Sequence, residues 1–397
     1  MAKPLNEFYE LFQSNLINIY LTCNDTPSGI FKSQVIDKVE TLNQFSNEHW
    51  KLVSLIPITH YLKSRKMILN WNSNAIVFPM IPKLSWWRLN FIWLWVLTIV
   101  FKVNKVMSRG VFASNLALIA KTKNQIKNTI YDGRGAVFAE CEEYKMVNTN
   151  FLKTIENLEL NAVLKSDFRN SVSQKLILYW QKVYKYASSK HVIIPCTLAQ
   201  HFINYTDNNS LLNKLKDKLE IKQSDVVFIY AGSVAGWQSM GKLKNWLDQL
   251  LLINENCKVV FLSPEDPLID YLSNKFHNRI VRSFVKAEDV PTWLQLADYG
   301  ILLRENSVTN QVASPTKFAE YLYSGLDVLI SENLGDFSNF VKKYGCGEVV
   351  NFTINLEHKF EKQTPAKREN NKILASRYFT IKAAETINAY NKILSLN

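Results

Sequence analysis

The chain lacks the signatures of several common enzyme chemistries. No two aspartates stand two residues apart, the spacing that presents a divalent cation to a diphosphate, and no GxSxG, HExxH or GxGxxG occurs. Gly236 to Lys242 spells GxxxxGK, but Leu243 stands where a P-loop needs Ser or Thr, and the first glycine lies well past the preceding strand. Cysteine is scarce: Cys23, Cys141, Cys196, Cys257 and Cys346 are odd in number, far apart and never in CxxC spacing. Neither a zinc site nor a disulfide framework is indicated, and a reduced, cytoplasmic interior is expected. The start of the chain, through Leu5-Asn6-Glu7, has no apolar core of the signal-peptide kind. The longest apolar run, residues 89–101 (LNFIWLWVLTIVF), falls short of the ~20 residues that cross a bilayer.

What is present is a chain of 397 residues, 47% hydrophobic and 21% charged, long enough for two ordinary globular domains. Its formal charge of +12 attracts polyanions: nucleic acid, an anionic leaflet or a phosphorylated substrate. Charge alone does not choose among them. Run 89–101 reads first as a buried or interface helix. Trp86, Trp87, Trp93 and Trp95, flanked by Lys83, Arg88, Lys102 and Lys105, leave open a helix lying on an anionic inner membrane.

The second half alternates β-rich apolar runs (226–231, 258–262, 279–285, 299–303, 327–331, 348–350) with helical stretches (242–254, 267–276, 288–297, 315–324, 337–344). Near-continuous apolar strands between helices predict a parallel sheet covered on both faces. The first half repeats the rhythm, with strands expected at 18–23, 50–56, 75–79, 105–108, 129–131 and 191–194, and helices at 35–45, 89–103, 111–121 and throughout 144–188. Residues 204–225, polar and rich in Asn and Lys, read as a linker. The expected fold class is therefore α/β, with two doubly wound Rossmann-like domains facing each other across a cleft. Their expected bounds are 1–203 and 204–365, with a helical tail, 366–397, returning to the first. Ligands in such sheets bind beyond the carboxyl ends of the strands.

Residues 304–325, RENSVTNQVASPTKFAEYLYSG, carry the most information. Ser314 reads as an N-cap and Pro315 as the first helical residue, and Gly325 closes the helix. Lys317, Glu320 and Tyr321 share a face, with Thr316 at the helix start. The helix N-terminus with Lys317 and Arg304 makes a site fit for a pyrophosphate. Glu320 can accept from two ribose hydroxyls. An ordinary capped helix with a Lys317–Glu320 surface pair explains the same letters. The loop Gly232-Ser233-Val234-Ala235-Gly236 follows a strand and lets backbone N–H groups approach a phosphate. In the first half, Arg109, the Tyr131-Asp132-Gly133-Arg134-Gly135 segment with Glu140 beyond it, and the loop ending in Gly29 all follow strands. Asp132 and Arg134 suit either a ligand or each other.

The succession AGS-x-x-GWQ, ADYGILLRENS, ASPTKFAEYLYSGLDVLIS and NLGDF resembles the GT-B-fold transferases of glycosyltransferase family 4, above all bacterial members that build surface polysaccharides such as capsule or lipopolysaccharide. The resemblance covers about 226–350; in the first half only the Gly29 loop and YDGRG are similar to acceptor-side loops. The family's E-x7-E pair is half present: Glu320 occupies the second position, Val312 the first. The resemblance implies a retaining transfer from a nucleotide-diphosphate sugar, without metal or cofactor, to a glycan or lipid-linked acceptor. Arg304, Lys317 and the Gly232 loop would steady the leaving diphosphate, and Glu320 would hold the ribose. The acceptor would lie near Gly29, Arg109 and Asp132. A GT-B-fold sugar-nucleotide epimerase and a non-catalytic polyanion-binding protein are the alternatives, and nucleic acid is not the expected partner.

Overall fold

The computed structural model describes residues 16–46, 48–81, 83–123, 125–352 and 359–396; the N-terminal segment read above lies outside them. The chain divides into two compact units, one running to Ile194 and taking up the chain again from Glu385, the other Pro195–Ala384.

The first unit holds a seven-stranded parallel sheet ordered β3-β2-β1-β4-β5-β6-β7. Its strands are β1 (Leu16–Cys23), β2 (Trp50–Pro57), β3 (Ile76–Met80), β4 (Lys102–Arg109), β5 (Asn128–Gly133), β6 (Phe168–Ser171) and β7 (His191–Ile193). The second unit holds six parallel strands ordered β10-β9-β8-β11-β12-β13. These are β8 (Val226–Ala231), β9 (Cys257–Leu262), β10 (Ile280–Ser283), β11 (Tyr299–Leu302), β12 (Asp327–Ser331) and β13 (Gly347–Val350). Both orders reverse beside the first strand of their sheet, between β1 and β4 and between β8 and β11. In sheets of this kind the loops diverge at such a reversal, and ligands bind there beyond the carboxyl ends. The α/β, doubly wound expectation holds for each unit.

Three local expectations are corrected. Residues 144–188 are not continuous helix: Thr149–Lys165 and Gln174–Tyr184 flank β6. That strand, Phe-Arg-Asn-Ser, is wholly buried although three of its four letters are polar. Arg169 donates to the Val163 carbonyl and the Asn170 amide N–H to Asp132, so these donors find their partners inside the protein. The stretch 204–225 contains the helix Asn209–Lys218, started by the Asn208 side chain accepting from Leu211 N–H. The helix expected over 89–103 is shorter: a 3-10 turn, Leu84–Asn90, leads into Phe91–Val100, and β4 begins at Lys102.

Leu198, Ala199 and Phe202 belong to the core of the second unit, with Val227, Ile229 and Phe318, which puts the crossover at 194–195. The tail forms two helices with different allegiances. In Pro365–Tyr378, Leu374 and Ala375 join the second core; in Ala384–Leu394, Ala389, Tyr390 and Ile393 join the first. Lys105, almost fully buried, donates to the Leu394 carbonyl at 2.6 Å and pairs with Glu48 at 3.0 Å.

Candidate functional site

In the second unit the strand-order reversal brings together the loop after β8, the loop after β11 and the helix Thr316–Tyr323. Gly232 follows β8 with φ +146°, where only glycine is at ease. Lys317 reaches back over it: a Cβ on Gly232 would sit 2.4 Å from Lys317 Cε and 2.6 Å from Nζ. The Lys317 ammonium lies 4.0 Å from the centre of the Tyr230 ring and donates to Gln238 Oε1 at 3.1 Å. The ring face offsets part of what burying the ammonium costs. Tyr230 is fixed in turn, its hydroxyl donating to the Ser233 carbonyl at 2.5 Å.

Arg304 stands just beyond β11, as buried as Lys317, each about 7% exposed. Its backbone N–H donates to Ser331 Oγ at 2.6 Å, and its guanidinium approaches Asn310 Oδ1 at 3.5 Å. Asn310 donates onward to the Trp237 and Glu305 carbonyls, tying this loop to the one after β8. Burial, and then the neighbouring Arg304 charge, push the Lys317 ammonium well below its ordinary range; Glu320 pulls the other way. Two cations thus share one desolvated corner. Glu320, half-buried, is pushed up to about 7 by burial, against the Thr316 hydroxyl bond and the Lys317 charge.

Two details at this helix differ from expectation. Ser314 is not the N-cap: Pro315 holds that position, without a side-chain cap bond, and the Ser314 hydroxyl accepts from Cys196 N–H at 2.9 Å. Tyr321 presents no exposed surface to a ligand there. It is fully buried against Gly300, where a Cβ would come within 2.3 Å of the ring, and its hydroxyl accepts from Ala231 N–H. It locks the helix to the sheet. Thr316 starts the helix, Ser233 and Gly236 lie exposed on the loop, and Val312 is buried and apolar. Gln238, Asn310 and Tyr230 were missed; only their places beside strand ends mark them in the sequence.

In the first unit Asp132, at the end of β5, has no exposed surface. It accepts from Tyr20 Oη at 2.5 Å, Asn170 Nδ2 at 2.7 Å and Lys38 Nζ at 3.0 Å, and Arg134 lies at 3.7 Å. Burial alone would raise this carboxyl. Lys38, Arg134 and Arg109, with the Tyr20 hydroxyl, outweigh it and hold Asp132 well below the usual range. Lys38 is lowered to about 8 by burial, against the pull of Asp132. Asp132 is the hub of a buried network and presents nothing to solvent.

Arg134 turns its other nitrogen to Gln34 Oε1 at 2.6 Å. Arg109, 14% exposed, pairs with Asp25 at 3.5 Å, and its Nη1 is buried without a hydrogen-bond partner among the described residues. Lys38, Tyr20 and Asn170 went unread because Lys38 sits mid-helix and the other two inside strands. Glu140 is half-buried on the helix Val137–Glu143, raised by burial and by Glu143. The N-terminal amides of that helix, at Val137 and Phe138, donate to the buried Glu159. Gly29 opens the turn Gly29–Phe31, which the Ser28 hydroxyl caps; a Cβ there would meet nothing within 4 Å.

No family model and no curated protein matches the chain. Solved structures do. Sucrose-phosphate synthase from Thermosynechococcus elongatus superposes with a TM-score of 0.68 at 10% identity, over 96% of this chain and 99% of that one. HepE from Anabaena, solved in complex with UDP and glucose, gives 0.68 at 12% identity over 96% and 100%. WaaG, a glycosyltransferase involved in lipopolysaccharide biosynthesis, gives 0.60 at 12% over 95% and 94%. The fold is GT-B. At these identities the likeness speaks for architecture alone.

Proposed function

We propose that the protein is a glycosyltransferase that moves a sugar from a nucleotide-diphosphate sugar to a glycan or lipid-linked acceptor. The observation that carries this reading is the pair Arg304 and Lys317, both buried, at the strand-order reversal of the second unit with Gly232 beneath. Two cations in a desolvated corner repel each other, and a diphosphate relieves that repulsion. Negative charge grows on the diphosphate as the glycosidic bond to the sugar breaks, so fixed cations there favour the transition state over the bound donor. The same electrostatic work is done elsewhere by a divalent ion. Metal-independent transfer is therefore part of the proposal. Glu320, one turn along the helix from Lys317, is placed for ribose hydroxyls, and its carboxylate accepts them best when ionised.

Retention of anomeric configuration follows from the sequence resemblance to glycosyltransferase family 4, as does a role in surface polysaccharide synthesis in the cytoplasm. The glycosyltransferase WaaG and the UDP-bound HepE among the structural neighbours agree with a nucleotide-sugar donor. On the acceptor side, Arg109 and Arg134 at the ends of β4 and β5 offer donors to acceptor hydroxyls or phosphate, with Asp132 holding Arg134 in place. Glu140 and the Gly29 loop would flank them.

A thermal-shift screen of UDP, GDP, ADP and CMP sugars tests the reading, because a ligand bound only by the native state raises the melting temperature. One nucleotide sugar should stabilise the protein in EDTA and lose the effect in Lys317→Ala. Stabilisation by none of them, or turnover that disappears in EDTA and returns with Mn²⁺, overturns the proposal as stated.

A further inference from the structure

The 3-10 turn Leu84–Asn90 and the helix Phe91–Val100 have an inner side that is firmly docked. Trp87, Leu94 and Leu97 are buried, and Trp93 stacks on Phe78 of β3 at 4.8 Å. Their outer side is a different matter. Ile92, Trp95, Val96, Ile99 and Val100 recur at i, i+3, i+4, i+7 and i+8, which is one face of a helix, and all are exposed, Ile99 to 61%. Trp86 and Leu89, each more than half exposed, extend the patch. No charged side chain interrupts it between Leu89 and Phe101. An open groove of about 530 Å³ runs beside it, apolar along Leu89, Ile92 and Trp95 and edged by Arg88 and Lys123.

The surrounding charge is of one sign. Lys83 lies over the Trp86 ring at 5.6 Å, Arg88 over Trp87 at 5.5 Å and Lys123 over Phe91 at 6.0 Å. None of the three makes an ion pair among the described residues. The sequence gives this its scale: the 83 residues from 49 to 131 contain no Asp or Glu and 12 Lys or Arg, whereas the rest of the chain carries 35 of each. The whole formal charge of +12 thus belongs to this one stretch of the first unit.

We propose that this face lies in the headgroup layer of an anionic lipid bilayer, with Ile92, Trp95 and Ile99 entering the acyl boundary and Lys83, Arg88 and Lys123 on the phosphates. A ten-residue helix is about 15 Å long against a hydrocarbon core of about 30 Å, so it rests in the plane and does not cross. Aromatic rings with cations over their faces match the interfacial layer, where one end of a side chain is apolar and the other wet. A second copy of the chain is the poorer occupant. Pairing this face with itself brings two sets of cations together, and the stretch contains no acid to answer them. The inference stands on this surface alone and does not depend on the donor site.

The test uses the full chain with vesicles of phosphatidylcholine, with and without phosphatidylglycerol at about one part in four. Binding should occur with the anionic vesicles only, weaken as salt is raised, and bring quenching of tryptophan fluorescence by lipids brominated on their chains. The double variant Ile92→Glu, Ile99→Glu should partition at least about tenfold more weakly, with its melting temperature and its stabilisation by UDP unchanged. Absence of binding to anionic vesicles, equal binding by the variant, or binding without quenching each overturns the proposal. So does a concentration-dependent dimer that the variant abolishes, which would assign the face to a second copy. Because quenching is read on the unaltered protein, a variant that fails to fold does not remove the test. If the unaltered protein is stabilised by UDP but does not bind anionic vesicles, this inference alone falls; if it binds the vesicles but no nucleotide sugar stabilises it, the donor reading alone falls.

Discussion

The ammonium of Lys317 rests on the face of Tyr230, 4.0 Å from the ring centre, and fills the space a side chain at position 232 would take. The glycine is therefore required twice, once by its φ of +146° and once by the lysine above it.

Gly232→Ala separates these two requirements. The colliding atoms are the free end of a flexible side chain, so the fold should survive at a cost of about 1–3 kcal/mol for the strained backbone. Lys317 must swing away, and UDP affinity should fall at least about tenfold, roughly 1.4 kcal/mol. Calorimetric titration beside a thermal melt reads both. Normal UDP affinity in Gly232→Ala shows that the position of Lys317 over this glycine does not matter for the donor.

Lys317→Met should raise the melting temperature and abolish transfer together. A buried ammonium beside Arg304 is a liability to the fold, and an isosteric apolar chain removes it. Arg304→Ala should lower kcat more than donor affinity, since its charge matters most when the diphosphate departs. Glu320→Gln should instead weaken donor binding by about 1–3 kcal/mol, the range for hydrogen bonds to charged groups. Melting curves and initial rates of the three variants decide this. A Lys317→Met protein that melts lower while turning over normally marks the lysine as structural.

Donor binding should take up protons above neutral pH. Lys317 is depressed in the free protein, and an adjacent diphosphate favours its charged form, so its pKa rises on binding. UDP affinity accordingly falls as pH increases. Glu320 works in the opposite sense near pH 7, where ionisation favours the ribose contact. At about pH 8 Glu320 is largely ionised and its opposing contribution has faded, which leaves the lysine's to be read. Calorimetry in buffers of different ionisation enthalpy measures the uptake, and Lys317→Met should abolish it. Proton release at that pH contradicts the assignment.

Asp132→Asn should unfold the first unit more readily, by about 3–5 kcal/mol, because Lys38 and Arg134 lose their shared counter-charge inside the protein. The folded-state pKa of Asp132 is depressed, so its contribution is present above the ordinary carboxylate range and disappears only as pH falls into strong acid. Urea titration at neutral pH and near pH 3 tests both statements. A variant with normal stability and no activity would instead place Asp132 in the chemistry.

The sheets were legible wherever burial on both faces wrote an unbroken apolar run, as in Val226–Ala231 and Asp327–Ser331. β6 was not, because a strand whose polar side chains donate to partners within the core looks like a loop or a helix in one dimension. Arg304, Lys317 and Glu320 could be found because helix geometry and strand ends put them in one place from local spacing alone. Lys38, Tyr20 and Asn170 are 94, 112 and 38 residues from Asp132, and no local rule reports such a meeting. Tyr321 was misread for a simpler reason: helical spacing says which residues share a face, and the sheet decides how wide the buried face is.

The tail that gives Tyr390 and Ile393 to the first core has a consequence for biosynthesis. Everything the second unit needs, residues 195–384, has been made before residues 385–396 leave the ribosome. The first unit starts earlier and finishes later. Until residues 385–396 arrive, Lys105 is without the Leu394 carbonyl and the core around Val35 and Leu42 lacks Tyr390 and Ile393. The first unit is thus the later of the two to close, and a chain cut before residue 385 would keep every residue of the second unit while denying the first its closing helix.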